Sequence, residues 1–191
     1  MMKRRHLMAL GLVALAGLSS CAPPWTVVAQ AVPNPLAGQR NFAVMPIDYN
    51  GLRVGEKTEA AWMSGKDEDA RQSWIGDKTA MNDEFAKALM EDASGNGIRV
   101  GPPTENAPFK VEPHIEWVEP GTYTYFVNRA PEIRMVMQIT DPDGGVIDEI
   151  IIQHATPATM TNPSSGGRFR DSAEAIGEIA AQYLGTRVNN E

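Results

Sequence analysis

Glu112, His114 and Glu116 occupy every second position of one predicted strand, so their side chains share a face of that strand. Imidazole nitrogens and carboxylate oxygens are ligands for zinc, and this spacing could begin a metal site. The same alternation is typical of the solvent face of an antiparallel strand. Because no second cluster completes a coordination sphere, we predict no metal and no cofactor.

Asp141, Asp143 and Asp148 could suggest a calcium loop. An EF-hand loop needs further oxygen ligands at fixed offsets and a bidentate Glu at its last position, which the residues after Gly144 do not supply. Asp141-Pro142-Asp143-Gly144 instead predicts a tight turn between two strands. No nucleophile elbow or Ser-x-x-Lys pair with supporting motifs is present, so we predict no enzyme and nominate no catalytic residue.

Cys21 is the only cysteine of the chain and follows a secretory leader. Lys3, Arg4 and Arg5 supply the positive end of this leader, and residues 7–18 supply its apolar stretch. At about 1.5 Å per residue the stretch covers roughly 18 Å of a hydrocarbon core about 30 Å thick. The segment is therefore predicted to be a removable signal peptide covering residues 1–20.

Leu18-Ser19-Ser20-Cys21 resembles the bacterial lipobox at all four positions. The resemblance implies lipidation of the Cys21 thiol and cleavage just before it, which would anchor the mature chain to a membrane. The alternative is an ordinary secreted protein cleaved after Ala29-Gln30-Ala31, a site that lies far beyond the apolar stretch. Because Ala22 follows the Cys, the resemblance implies the outer membrane, with the domain facing the periplasm. The inner membrane is the second possibility.

The mature chain would be acidic. Without Lys3, Arg4 and Arg5, 14 of the 17 Lys and Arg residues remain against 24 Asp and Glu residues, a formal charge of −10. Such a surface repels nucleic acid and gains nothing from anionic headgroups, so membrane attachment must come from the lipid. With no second cysteine, the fold must be held together by its core.

Four prolines among small and polar residues predict that residues 21–40 form a lipidated tether. In this interpretation Trp25 is either an interfacial ring or an incidental tether residue.

Residues 41–188 are predicted to form one domain. Its elements are a strand at 41–49, a connection at 50–69, a helix over 69–93, a short strand at 98–100, a strand meander through 154, a loop at 156–170 and a helix from Asp171 to Gly185.

This order predicts an α+β fold, with a mixed or mainly antiparallel sheet of about five strands and two helices packed on one face. The lipobox, the Phe42-to-Tyr49 strand followed by a helix, the Asp141 turn and the last helix resemble the small α/β domains of periplasmic lipoproteins. The amino-terminal domain of TolB and the curli-secretion lipoprotein are similar in this respect. The resemblance implies an envelope role.

Aromatic and Met residues outside the helix stripe are the candidates for a partner surface. Trp62 and Met63 lie in a long polar connection, where they either anchor a partner or pack over the domain. Tyr123 and Tyr125 pose the same question on a strand that could accept a partner along its edge. We therefore expect a non-enzymatic binding or assembly module of the envelope. The alternative is an auxiliary lipoprotein of a lipid or solute transport system, with an apolar groove between sheet and helices.

Overall fold

The computed structural model describes residues 22–123, 128–157 and 164–190. Within these ranges the chain forms ten strands and three helices. In chain order they are β1 (Trp25–Gln30), β2 (Asn41–Val44), β3 (Arg53–Val54), β4 (Lys57–Thr58), α1 (Glu59–Met63), α2 (Glu68–Gly95), β5 (Arg99–Gly101), β6 (Phe109–Glu119), β7 (Thr122–Tyr123), β8 (Asn128–Arg129), β9 (Glu132–Thr140), β10 (Val146–Ala155) and α3 (Ser165–Asn189).

Eight of these strands form one mixed sheet, whose main path runs β1-β10-β9-β6-β2-β5. The strands from β1 to β6 along this path pair antiparallel, while β2 lies parallel to both β6 and β5. β3 pairs with β6 and β4, and β7 pairs with β8 apart from the sheet. The predicted α+β class and mixed sheet are confirmed. The prediction of about five strands and two helices is wrong, because β3, β4 and α1 are too short to give a periodic pattern.

The sheet has one buried face and one open face. Along β6, β9 and β10, every second side chain is buried, as the period of a strand requires. The buried face joins α2 and α3 in one apolar core, which includes Val111, Ile115, Met135, Met137, Ile139, Ile150, Ile152, Phe85, Leu89, Ile176 and Leu184. An auxiliary lipoprotein of a transport system was expected to have an apolar groove between the sheet and the helices. In this structure the side chains of the core fill that space.

Helix α2 follows the predicted stripe, with Trp74, Met81, Phe85 and Leu89 buried. Asp67 caps its start by accepting a hydrogen bond from the Ala70 N–H at 2.8 Å. The helix starts at Glu68, one residue before the predicted start at residue 69, and it includes Gly76. The first turns are held because the Trp74 ring packs against Phe169 of α3, with 5.9 Å between ring centroids.

Helix α3 is longer than the predicted segment from Asp171 to Gly185. It begins at Ser165, where the Ser164 hydroxyl accepts from the Gly167 N–H at 3.0 Å, and it continues to Asn189. The extra turns form because Phe169 and Val188 are buried.

Among the residues described, no helix is long and apolar enough to cross a membrane.

The predicted tether contains a strand of the sheet. β1 pairs with β10 from Trp25↔Ile152 to Gln30↔Asp148, with a bulge between Val27 and Ala29. The following loop also lies on the domain, because Leu36 is fully buried and the Gly38 N–H donates to the Val188 carbonyl at 2.9 Å. The folded domain therefore begins at Trp25, well before residue 41. The sequence suggested a tether because prolines flank a β-branched run whose partner strand lies more than a hundred residues away.

Candidate functional site

The open face of the sheet carries polar and apolar side chains in register across three strands. Cross-strand pairing aligns Glu112 with Gln138 and Glu149, His114 with Val136 and Ile151, and Trp117 with Arg134 and Gln153. Directly opposite side chains on one face lie close enough to interact. Gln138 donates to Glu149 at 2.5 Å, and the Thr140 hydroxyl donates to Glu112 at 2.9 Å.

The three strand residues considered for a metal site share the open face, but each has a different partner. Glu112 accepts from Thr140, His114 Nδ1 lies 3.1 Å from Asp48 Oδ2, and Glu116 faces Arg134. The Asn50 N–H donates to Asp48 and lowers the pKa of that carboxyl, and His114 lowers it further. In the part of the chain that the structure describes, no group of three His, Cys, Asp or Glu residues could hold a metal ion.

A groove of about 560 Å³ opens on this face, at the end of the sheet where β6 and β10 finish. Its lining residues are Gly51, Arg53, Glu116, Trp117, Arg134 and Gln153. We refer to these six residues as the sheet groove. It is the candidate site because it combines charged, amide and aromatic groups in one concave surface.

A bulge in β6 forms one wall of the sheet groove. The register shifts between Ile115 and Trp117, so Glu116 is the extra residue and two side chains of β6 face Arg134. The Trp117 indole N–H donates to the Gly55 carbonyl at 3.0 Å, which fixes the ring against the β3–β4 turn. Parallel pairing with Trp117 then brings Arg53 to the groove.

The charges of the sheet groove are partly paired. Arg134 Nε lies 2.7 Å from Glu116 Oε1, which is ion-pair distance, although the N–H does not point along the line of a hydrogen bond. The Arg53 guanidinium donates to the Glu56 carbonyl at 3.0 Å. The arrangement therefore offers guanidinium donors, a carboxylate and an indole face. None of the six lining residues is a Ser, Thr, Cys or His.

Asp148, considered as a calcium ligand, is instead occupied by hydrogen bonds from protein groups. Its carboxylate is buried beneath α3 and accepts from Arg187 Nε and from the Tyr183 hydroxyl, each at 2.7 Å. Burial raises the pKa of Tyr183, and the hydrogen bond to Asp148 raises it further. The Ala31 N–H also donates to this carboxylate at 3.1 Å. The cluster joins β1, β10 and α3 and has a structural role.

Trp62 and Met63, expected in a long polar connection, are the last two residues of α1. Both side chains are half-buried against the core. The Trp62 ring contacts the Trp74 ring, with 5.2 Å between centroids. Glu59 holds α1 in place, because it accepts from Trp74 Nε1 at 2.6 Å and from Lys78 Nζ at 2.7 Å. These contacts favour packing over the domain, and a partner role for Trp62 and Met63 stays a prediction.

The remaining predicted site residues are only partly within the described structure. Tyr123 lies in β7, opposite Asn128 of β8, and Tyr125 lies outside the described residues. Cys21 and the other residues of the tetrapeptide that resembles a lipobox also lie outside them. The Trp25 ring, considered as an interfacial group, packs edge-on against Tyr183 with 5.6 Å between centroids.

The sheet groove was missed by sequence reasoning. Arg53, Trp117 and Arg134 come from three separate strands, and only the register of β3, β6 and β9 brings them together. The one available signal was the polar alternation of β6 and β9, which marked the open face without locating a concave region on it.

Comparison with known proteins gives distant structural neighbours. No protein-family model matches the chain, and no curated protein matches it. Among solved structures, the PelC dodecamer from Paraburkholderia phytofirmans is 12% identical, covers 81% of this chain and 96% of its own, and has a TM-score of 0.45. The hypothetical protein CT253 from Chlamydia trachomatis is 12% identical, covers 80% and 99%, and scores 0.44. These are similarities only, and no function of this chain follows from them.

Proposed function

We propose that this chain is a lipid-anchored periplasmic protein of the outer membrane that acts as a non-enzymatic binding or assembly module of the envelope. The observation that carries the proposal is the tetrapeptide Leu18-Ser19-Ser20-Cys21 after a short apolar leader. Lipid attached at Cys21 holds the mature chain at a membrane surface, since two or three acyl chains make attachment stable.

The position of β1 supports processing at Cys21. Cleavage after Ala31 would remove Trp25–Gln30, leave the edge of β10 unpaired and delete the contact between Trp25 and Tyr183. An exposed strand edge is a template for unwanted pairing, which folded proteins avoid. Cleavage before Cys21 keeps the whole strand.

The sheet groove supports the binding part of the proposal. Its guanidinium, carboxylate and indole groups suit a polar or charged surface of a partner protein. The Arg134 and Glu116 side chains are each about two-fifths exposed, so a partner could reach both charges.

In-cell photo-crosslinking tests the binding role. A photoreactive amino acid replaces Gln153 at the sheet groove or, as the control, Ser73 on the exposed side of α2. We expect a discrete adduct with an envelope protein from position 153 and none from position 73. Adding Trp117→Ala should reduce the yield at position 153. Equal yields at both positions would contradict binding through the groove.

A further inference from the structure

The chain between the lipidation residue and the folded domain is very short. Only Ala22, Pro23 and Pro24 separate Cys21 from Trp25, the first residue of β1. Proline fixes its own backbone angle and keeps the preceding residue extended, so this spacer is stiff. At about 3.1 Å per residue, the four steps from Cys21 to Trp25 cover roughly 12 Å. An extended arm of twenty residues would have reached roughly 60 Å at the same rise.

This length leaves little space between the domain and the bilayer. The headgroup layer on each side of a bilayer is about 5 to 8 Å thick, so roughly half of the spacer lies within it. The start of β1 is therefore held beside the headgroups. β1 cannot move away independently, because it is paired with β10 along its length and its Trp25 ring packs against Tyr183 of α3.

The strand register identifies which part of the domain is brought close. Trp25 pairs with Ile152 near the end of β10, and Ala155 at that end pairs with Glu132, the first residue of β9. Glu132 in turn pairs with Glu119 at the end of β6. We call these four residues, Trp25, Ala155, Glu132 and Glu119, the anchor end of the sheet. The turn at Asp141–Gly145 lies at the opposite end, about 30 Å away along β10.

The sheet groove lies near the anchor end. Its Gln153 and Arg134 form a cross-strand pair two positions from the pair of Ala155 and Glu132. Trp117 likewise stands two residues before Glu119 on β6. We propose that the anchor end faces the lipid bilayer, so that the sheet groove opens beside the headgroups and meets partners at the membrane surface. This inference rests on lipid attachment at Cys21.

Fluorescence quenching in vesicles tests the orientation. Ala155→Cys at the anchor end and Asp143→Cys in the far turn each add one thiol at an exposed position. The added thiol is the only free one in the lipidated full-length protein, because Cys21 is the single natural cysteine and its sulfur carries the lipid. Each variant is labelled with a small fluorophore and placed in phosphatidylcholine vesicles containing a headgroup spin-labelled lipid. Zwitterionic lipid is used because the acidic chain would be repelled by an anionic surface.

We expect the label at position 155 to be quenched severalfold more strongly than the label at position 143. Inserting twenty Gly and Ser residues after Pro24 should lower the quenching at position 155 toward that at position 143, because such a flexible linker adds roughly 25 Å. Equal quenching in the parent chain, or no effect of the insertion, would overturn the orientation. Flotation with the vesicles is measured on the same samples. Failure to float would overturn lipid anchoring itself, whereas flotation with equal quenching overturns only the orientation.

Discussion

Arg187 of α3 and Asp148 of β10 form a buried ion pair, with Arg187 Nε 2.7 Å from Asp148 Oδ2 and Arg187 Nη2 3.1 Å from Asp148 Oδ1. The same guanidinium donates to the Ala31 carbonyl at 3.1 Å, just after β1. Three segments distant in sequence therefore meet at one carboxylate. The pair therefore helps to hold the end of β1 against α3, in addition to the pairing of β1 with β10.

Removing one partner should be costly. Asp148→Ala leaves the Arg187 guanidinium buried without its counter-charge, and we expect a loss of about 3 to 5 kcal/mol in the free energy of unfolding, measured by urea denaturation. The matched control is Arg99→Gln, which removes the ion pair of Arg99 with Glu105 at 2.9 Å, where the Arg99 side chain is 68% exposed. That change should cost about 1 kcal/mol or less. Similar losses in both variants would contradict this account, because the buried Arg187–Asp148 pair would then contribute no more stability than the exposed Arg99–Glu105 pair.

Two glycines of α3 should respond to alanine with opposite signs. A Cβ at Gly177 would lie 2.6 Å from the Phe85 carbonyl oxygen and 3.0 Å from the Leu89 nitrogen, both backbone atoms of α2. Gly177→Ala should therefore force the helices apart and destabilise the domain by about 1 to 3 kcal/mol. At Gly185 the nearest atoms are 4.0 Å away, so Gly185→Ala should stabilise by about 0.5 to 1 kcal/mol through helix propensity. Thermal unfolding of both variants measures this, and a tolerated Gly177→Ala would contradict the close helix crossing.

Trp62→Ala separates packing from partner binding. Because the ring contacts Trp74 and is half-buried, we expect its loss to cost about 1 to 3 kcal/mol of stability. The folded fraction should still give the full crosslink yield from position 153. A variant with unchanged melting temperature and lost crosslinking would instead place the partner surface at α1.

Stability should fall in mild acid because of His154. Burial lowers the pKa of His154 below its ordinary value of 6.5, and Glu178 opposes this shift. The unfolded chain therefore takes up a proton near pH 6.5 while the folded chain resists it, so stability decreases as pH falls from there toward the folded pKa. His154→Gln should flatten this part of the melting-temperature profile. An unchanged slope in the variant would assign the acid sensitivity to other groups.

Periodic elements were predictable from the sequence, and short or long-range elements were not. The α2 stripe from Trp74 to Leu89 and the alternation in β6, β9 and β10 follow from local spacing and are found in the structure. β1 was missed because its pairing with β10 is stabilised by contacts such as those of Tyr183 and Arg187, which no local pattern reveals. For the same reason the bounds of α3 depend on burial at Phe169 and Val188.

The candidate site was less predictable than the fold. Trp62 looked unpartnered because α1 is only five residues long and its contact with Trp74 spans two helices. The sheet groove depends on a bulge at Glu116 and on parallel pairing of β3 with β6, and neither feature has a sequence signature here. What the sequence did indicate was an acidic chain with a tetrapeptide, Leu18-Ser19-Ser20-Cys21, that resembles a lipobox.

The mass of the mature amino terminus tests the central claim most directly. The protein is extracted from membranes of its own host and its amino-terminal peptide is analysed by mass spectrometry, beside a Cys21→Ser variant. The account predicts a mature chain that begins at Cys21 and carries acyl chains on that residue, whereas Cys21→Ser should accumulate as a precursor without lipid. A mature chain that begins at Val32, or acyl chains that persist in Cys21→Ser, would contradict lipid anchoring at Cys21.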